Sequence, residues 1–232
     1  MRSKPYGKIN YKIFQDRKWA FFTSLKILHT LENFNKKKTI NLMLTGGNTA
    51  KNVYKYLRIL LIKSKIRINF YLTDERCVSS NNNKSNYYMI KKRLLNFKKK
   101  NFNFYRILGE EKNFEKECIR YEKLLPKKID LVLLSLGKDG HIASIFPINK
   151  ITLKKKVTNV LPKNKIRRYT VTPYFLKKIK KIIIFVKGED KGVAFSKIFF
   201  SKKKTYFPSL NIDNVEWVLN YSAFKKVAHL LK

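Results

Sequence analysis

The stretch running from Leu131 to Pro147, LVLLSLGKDGHIASIFP, decides the fold. Its four leading apolar residues, 131–134, make too short a run for a helix and suit a strand covered on both faces, as in parallel α/β sheets. On this reading the strand enters a glycine-flanked Asp139-Gly140-His141 and then a short helix. His141 therefore stands at the carboxyl edge of a sheet, where diverging loops open a crevice for ligands. Asp139, two residues earlier, is placed to orient the imidazole and to stabilise its protonated form. The same residues also suit a plain loop, in which Gly137 and Gly140 supply positive φ, Asp139 caps the next helix and His141 is solvated. The segment alone leaves both readings open.

A second glycine turn lies upstream at residues 39–56, TINLMLTGGNTAKNVYKY. Ile40, Leu42 and Leu44 alternate as a strand into Thr45-Gly46-Gly47-Asn48-Thr49, after which Val53, Tyr54 and Leu57 recur at helical spacing. Glycines allow close backbone approach, and the free amides of a helix start favour an anion, so Gly46, Gly47, Asn48 and Thr49 form a candidate phosphate cradle. Gly-Gly-Asn-Thr is equally a good turn with an N-cap. No GxxxxGK[ST] follows, which argues against a P-loop nucleotide site. A third segment, residues 66–95, repeats the plan: its strand ends in Thr73-Asp74-Glu75-Arg76, and Arg76 offers the forked donor geometry that suits phosphate. Ser85-Asn86 then caps a helix carrying Met89, Leu94 and Leu95.

In this order the three segments resemble the 6-phosphogluconolactonase family of the glucosamine-6-phosphate isomerase superfamily. The family's SGGSTP turn is similar to Thr45–Ala50, its DER-x-V with a later Ser-Asn to Asp74–Val78 with Ser85-Asn86, and its GxGxDGHTASLFP to Ser135–Pro147. Two later pieces, Arg168-Tyr169-Thr170-Val171-Thr172 and Gly188-Glu189-Asp190-Lys191, resemble the family's R-x-T-x-T and G-x-x-K. The resemblance implies hydrolysis of 6-phospho-D-glucono-1,5-lactone to 6-phosphogluconate in the pentose phosphate pathway. It also brings Arg168 and Lys191 into the site, and makes Asp74 and Gly140 further site positions. Glucosamine-6-phosphate deaminases share the fold and the DGH, but carry a glutamate five residues beyond the histidine, where this chain has Phe146, and Tyr rather than Arg76 after Asp-Glu. The chain departs from the lactonase pattern at Asn48, Cys77, Ser135 and Asn220.

The chemistry needs an anion site, a base to deprotonate water, and donors for the oxygen that gains charge. His141 is the expected general base, with Asp139 assisting. Gly46-Gly47, Arg76, Arg168 and Lys191 are expected to hold the phosphate and enclose the lactone. A lactone is already activated, so no metal and no cofactor are expected, and His29 and His229 show no metal-ligand spacing.

Composition invites a different reading. Fifty-three Lys+Arg against 15 Asp+Glu give a formal charge of +38, a balance that ordinarily points to nucleic acid. Lysine dominates every segment rather than one stripe, however, and Phe, Tyr, Asn and Ile are abundant beside only 8 Gly and 6 Pro. That is the bias of drift towards A+T-rich codons. Weak, nonspecific attraction to RNA is expected, with no specific nucleic-acid partner. A basic RNA-binding protein remains the alternative from another class, recognisable by aromatics interleaved with a localised basic face.

Cys77 and Cys118, with no CxxC, fit a reducing cytosol, although the sequence leaves a disulfide between them open. No signal peptide is expected in residues 1–16, and no apolar run reaches the ~20 residues of a membrane span. The lysine tracts at 98–100, 154–156 and 202–204 are placed in exposed loops. The whole expectation is one cytoplasmic α/β domain over residues 1–232, acting as a monomer or homodimer. Its sheet is Rossmann-like and mostly parallel, with helices on both faces. Helices are expected at 17–33, 111–124 and 191–200, and strands at 102–107, 169–172, 181–186 and 215–219.

Overall fold

A computed structural model describes residues 9–34, 39–97, 100–147, 151, 154–162, 166–200, 209 and 214–230. The tract at 202–204, Lys98 and Lys99, and residues 1–8 lie outside these; Lys154 and Lys155 are exposed. The main sheet contains β1 (Tyr11–Phe14), β2 (Ile40–Leu44), β3 (Ile68–Leu72), β5 (Phe102–Tyr105), β6 (Leu131–Ser135), β9 (Ile182–Val186) and β10 (Val215–Asn220). Its order is β1-β10-β9-β6-β2-β3-β5, and each neighbouring pair is parallel. Every residue of β9 is buried, as are the first four of β6. Because successive side chains of a strand point to opposite faces, such runs require cover on both. The fold is therefore the expected α/β sandwich.

The cover comes from α1 (Trp19–Glu32), α2 (Gly47–Lys63), α3 (Asn86–Arg93), α4 (Phe114–Leu124), α5 (Pro173–Leu176), α6 (Glu189–Phe200) and α7 (Tyr221–Lys225). Trp19, Ile27 and Leu31 of α1 and Val53, Tyr54 and Leu57 of α2 are fully buried. Each large apolar side chain so buried stabilises the fold by about 1.5–3 kcal/mol before chain entropy is counted. Near the last strand, Trp217 meets Phe195 and Phe199 of α6 edge-on, at 5.0 and 5.4 Å.

A second sheet differs from the expectation. Asp74-Glu75-Arg76 does not crown the end of β3; it forms its own strand, β4 (Asp74–Arg76), antiparallel to β8 (Arg168–Val171), which pairs in turn with β7 (Val157–Val160). The sequence expectation of a strand at 169–172 is thus met in a separate layer. The short helix expected after the DGH is absent: residues 142–145 make a tight turn closed by an Ile142–Ile145 bridge. Backbone explains it, since Ala143 has φ 48°, a left-handed conformation that ends any helix.

Strand order locates the crevice. From β2 the chain moves outward through β3 to β5, then returns to the other side of β2 as β6 and continues to β9 and β10. The reversal falls between β2 and β6, which are paired through Leu42–Leu131 and Met43–Val132. Their carboxyl-end loops, the glycine turn and the DGH, separate at this switch point.

Candidate active site

The two loops enclose a cleft of about 350 Å³. Nearly all the residues singled out in the sequence border it: Gly46, Gly47, Asn48, Thr49, Asp74, Arg76, His141, Arg168 and Lys191. Asp139 joins through His141, and Gly140 lies behind the lining, where its φ of 88° turns the loop. His29 and His229 are exposed and remote in sequence from all of these elements.

The DGH loop is built around the imidazole. Asp139 Oδ1 lies 2.5 Å from His141 Nδ1 and also accepts from the His141 amide at 3.2 Å. Burial raises the Asp139 pKa, but the hydrogen bond and charge of His141 outweigh it and hold the carboxyl at about 2. Gly137 is not a positive-φ glycine, contrary to the plain-loop reading. Its role is space, for a Cβ there would stand 2.1 Å from His141 Nδ1. The ring of Phe146 rests against the imidazole with centroids 4.9 Å apart, and the Arg168 guanidinium lies 5.5 Å from the centre of that same ring.

Opposite the loop, α2 begins at Gly47 with Gly46 as its N-cap and no side-chain cap, so Asn48 lies inside the first turn instead of capping it. Gly46 is required by Asn86, whose Oδ1 would be 1.8 Å from a Cβ at that position. Asn86 Nδ2 donates to the Asp74 carbonyl at 2.8 Å. Ser85 caps α3 as expected, accepting from the Tyr88 amide. Beneath, the buried carboxylate of Asp74 accepts from Thr73 Oγ1 and Ser144 Oγ, at 3.0 and 2.8 Å.

The cations converge. Arg76 and Arg168 are partners across the β4–β8 pair, and the Nε of each is buried with no hydrogen-bond partner among the described residues. Like charges directly opposite each other disfavour a strand pair. Burial first, then the Arg76 charge, lower the Arg168 pKa, with Asp74 and Asp139 partly compensating. Lys191 Nζ donates to Thr49 Oγ1 at 2.6 Å and to Ser135 Oγ at 3.2 Å. Burial, followed by the nearby Lys138, pushes its pKa down to about 8. Four basic side chains and a histidine around one cleft make a site for an anion.

Four contributors were missed in the sequence. Ser144, from the ASIFP tail, ties Asp74 to Arg168 Nη1 at 3.4 Å. Lys138 lines the cleft, Asn86 fills the space above Gly46, and Ser135 accepts a hydrogen bond from Lys191. Only their positions inside the quoted motifs hinted at them. Asn220, another departure from the family pattern, caps α7 and accepts from the Gly188 amide while donating to Asp16.

The family model described as glucosamine-6-phosphate isomerases/6-phosphogluconolactonase matches residues 21–219. The chain is 30% identical to the 6-phosphogluconolactonase of Thermotoga maritima over 161 residues, 67% of this chain and 73% of that one. It is 30% identical to the enzyme of the same name from Chlamydia trachomatis over 118 residues, so that match spans 46%, about half, of each chain. Among solved structures, the Thermotoga maritima 6-phosphogluconolactonase superposes with a TM-score of 0.79 at 26% identity, covering 92% of this chain and 100% of that one. The Trypanosoma cruzi 6-phosphogluconolactonase shares the fold at a TM-score of 0.82 and 21% identity, covering 97% and 98%. No described helix is long and apolar enough to cross a membrane.

Proposed function

Because the chain belongs to the glucosamine-6-phosphate isomerase and 6-phosphogluconolactonase family, we propose that its cleft hydrolyses 6-phospho-D-glucono-1,5-lactone to 6-phosphogluconate, with His141 as general base. The observation that carries this reading is the His141–Asp139 pair facing a cleft shared by Arg76, Arg168 and Lys191. With Nδ1–H donated to Asp139, Nε2 keeps its lone pair for a water molecule. Water adds through oxygen to the lactone carbonyl as His141 takes its proton. Collapse of the tetrahedral oxyanion breaks the bond to the ring oxygen, which leaves as a hydroxyl after recovering that proton from the imidazolium. Positioned general-base catalysis of this kind is worth roughly 10²- to 10⁴-fold.

The phosphate is assigned to Arg76, Arg168 and Lys191 with the α2 start at Gly46, Gly47, Asn48 and Thr49. An anion there neutralises the two guanidiniums and removes the repulsion between the paired arginines. Phe146 favours this reaction over deamination, because a phenyl ring against His141 cannot serve as the carboxylate of a catalytic relay. On this reading the enzyme acts in the oxidative pentose phosphate pathway of the cytoplasm.

The test follows hydrolysis of freshly generated lactone, corrected for spontaneous opening, in the wild type and in His141→Ala. Wild-type acceleration that disappears in the variant supports both the reaction and the base. A folded wild type with no rate above background overturns the reading.

A further inference from the structure

One cation of the cleft is held away from it. Lys138 stands between Gly137 and Asp139 and lines the cleft, yet its Nζ is turned onto Asp190 Oδ2, 2.7 Å away in the first turn of α6. Both side chains are largely exposed, at 77% and 65%, so the pair is screened by water and readily exchanged. Asp190 remains well placed when released, since a carboxylate in the first turn faces the positive end of its helix. Lys138 also lies close enough to Lys191 for the two charges to repel, and an anion entering between them removes that repulsion.

We infer that Lys138 is a further substrate-binding residue, exchanging Asp190 for the anionic group of a bound sugar phosphate and closing the mouth of the cleft over it. The inference rests on the cleft being a sugar-phosphate site. Asp190 is then a competitor for Lys138, and removing each residue has an effect of opposite sign.

The experiment measures binding of 6-phosphogluconate by titration calorimetry to the wild type, Lys138→Ala, Asp190→Asn and Lys180→Ala. Lys180 is an exposed lysine before β9, at the end of the sheet away from the cleft, and controls for net charge. Lys138→Ala is expected to weaken binding about fivefold, Asp190→Asn to tighten it about twofold, and Lys180→Ala to change it by less than about twofold. Equal effects of Lys138→Ala and Lys180→Ala, or weaker binding by Asp190→Asn, overturn the role of Lys138 while leaving the sugar-phosphate site standing. A wild type that does not bind 6-phosphogluconate overturns the site itself, and the role of Lys138 with it.

Discussion

Lys191 Nζ lies 2.6 Å from Thr49 Oγ1, joining the first turn of α6 to the first turn of α2 across 142 residues of sequence. The ammonium is thus held by hydroxyls, and burial together with Lys138 brings its pKa to about 8. A phosphate supplies the missing negative charge and raises that pKa again. Binding of 6-phosphogluconate near pH 8 should therefore take up a proton, and affinity should fall as pH rises through about 8. Calorimetry in buffers of different ionisation enthalpy reads the uptake directly. A pH-independent affinity between about pH 7 and about pH 9, with no proton exchanged, contradicts the assignment of Lys191 to the phosphate.

Asp139→Asn keeps the shape of the DGH loop and removes its charge. The wild-type carboxyl is ionised far below neutrality, so it favours the imidazolium that the proposed general-base step would form. The variant should lose about 10- to 100-fold in kcat with little change in KM, since Asp139 stands outside the phosphate cluster. In a His141→Ala background the same substitution should add almost nothing, because the two side chains act as one unit. Additive losses in the double variant would assign Asp139 to a different task. The sign of the stability effect is also fixed. The folded pKa of Asp139 is below its ordinary value, so the stability it contributes is present above about pH 4 and is lost as pH falls through about 2.

Gly137→Ala isolates geometry from chemistry. No charge or hydrogen-bonding group is removed, but the new Cβ meets His141 Nδ1 at 2.1 Å and Asp139 Oδ1 at 2.8 Å. The ring must rotate away, which should reduce kcat by at least about 100-fold while thermal unfolding stays within a few degrees of wild type. Kinetics and a melting curve on one sample check both parts. Retention of full activity would show that His141 works from another position than the one bonded to Asp139.

The core strands and the three strand-end motifs were legible because periodicity and turn chemistry are local. Runs such as LVLL at 131–134 declare a strand buried on both faces, and Gly46-Gly47 or Gly140 declare a turn. The antiparallel sheet was not legible. Asp74-Glu75-Arg76 is too short and polar to read as a strand, and it becomes one only because β8, about 90 residues later, lies beside it. The N-cap of the Gly-Gly-Asn-Thr turn falls on Gly46, and a distant residue again decides what fits there: a Cβ at Gly46 would collide with Asn86, from the third segment. The charge pattern made sense only in three dimensions. Several of the 15 acidic residues are buried at structural posts, such as Glu216 bridging Lys26 and Lys181, and Glu117 gripping Arg120.

Glu75 is the post beneath the proposed anion site. Its two carboxylate oxygens accept from the amides of Arg76, Asn86 and Tyr87, each at 2.7 Å, and from Ser85 Oγ at 3.0 Å. Two of those amides belong to the first turn of α3, so this one side chain joins β4 to that helix and fixes both Arg76 and Asn86. Glu75→Ala leaves buried donors without acceptors and opens a void at the junction. It should cost about 2–4 kcal/mol of stability. Because Asn86 packs on Gly46 and Arg76 faces the cleft, the variant should also bind 6-phosphogluconate more weakly even at temperatures where it is fully folded. Lys155→Ala is the control, for it breaks an exposed Lys155–Glu115 pair just before β7 and should leave binding unchanged. Urea denaturation and calorimetry on the two variants separate the effects. Loss of stability without loss of affinity would mean that Arg76 finds its place from β8 alone.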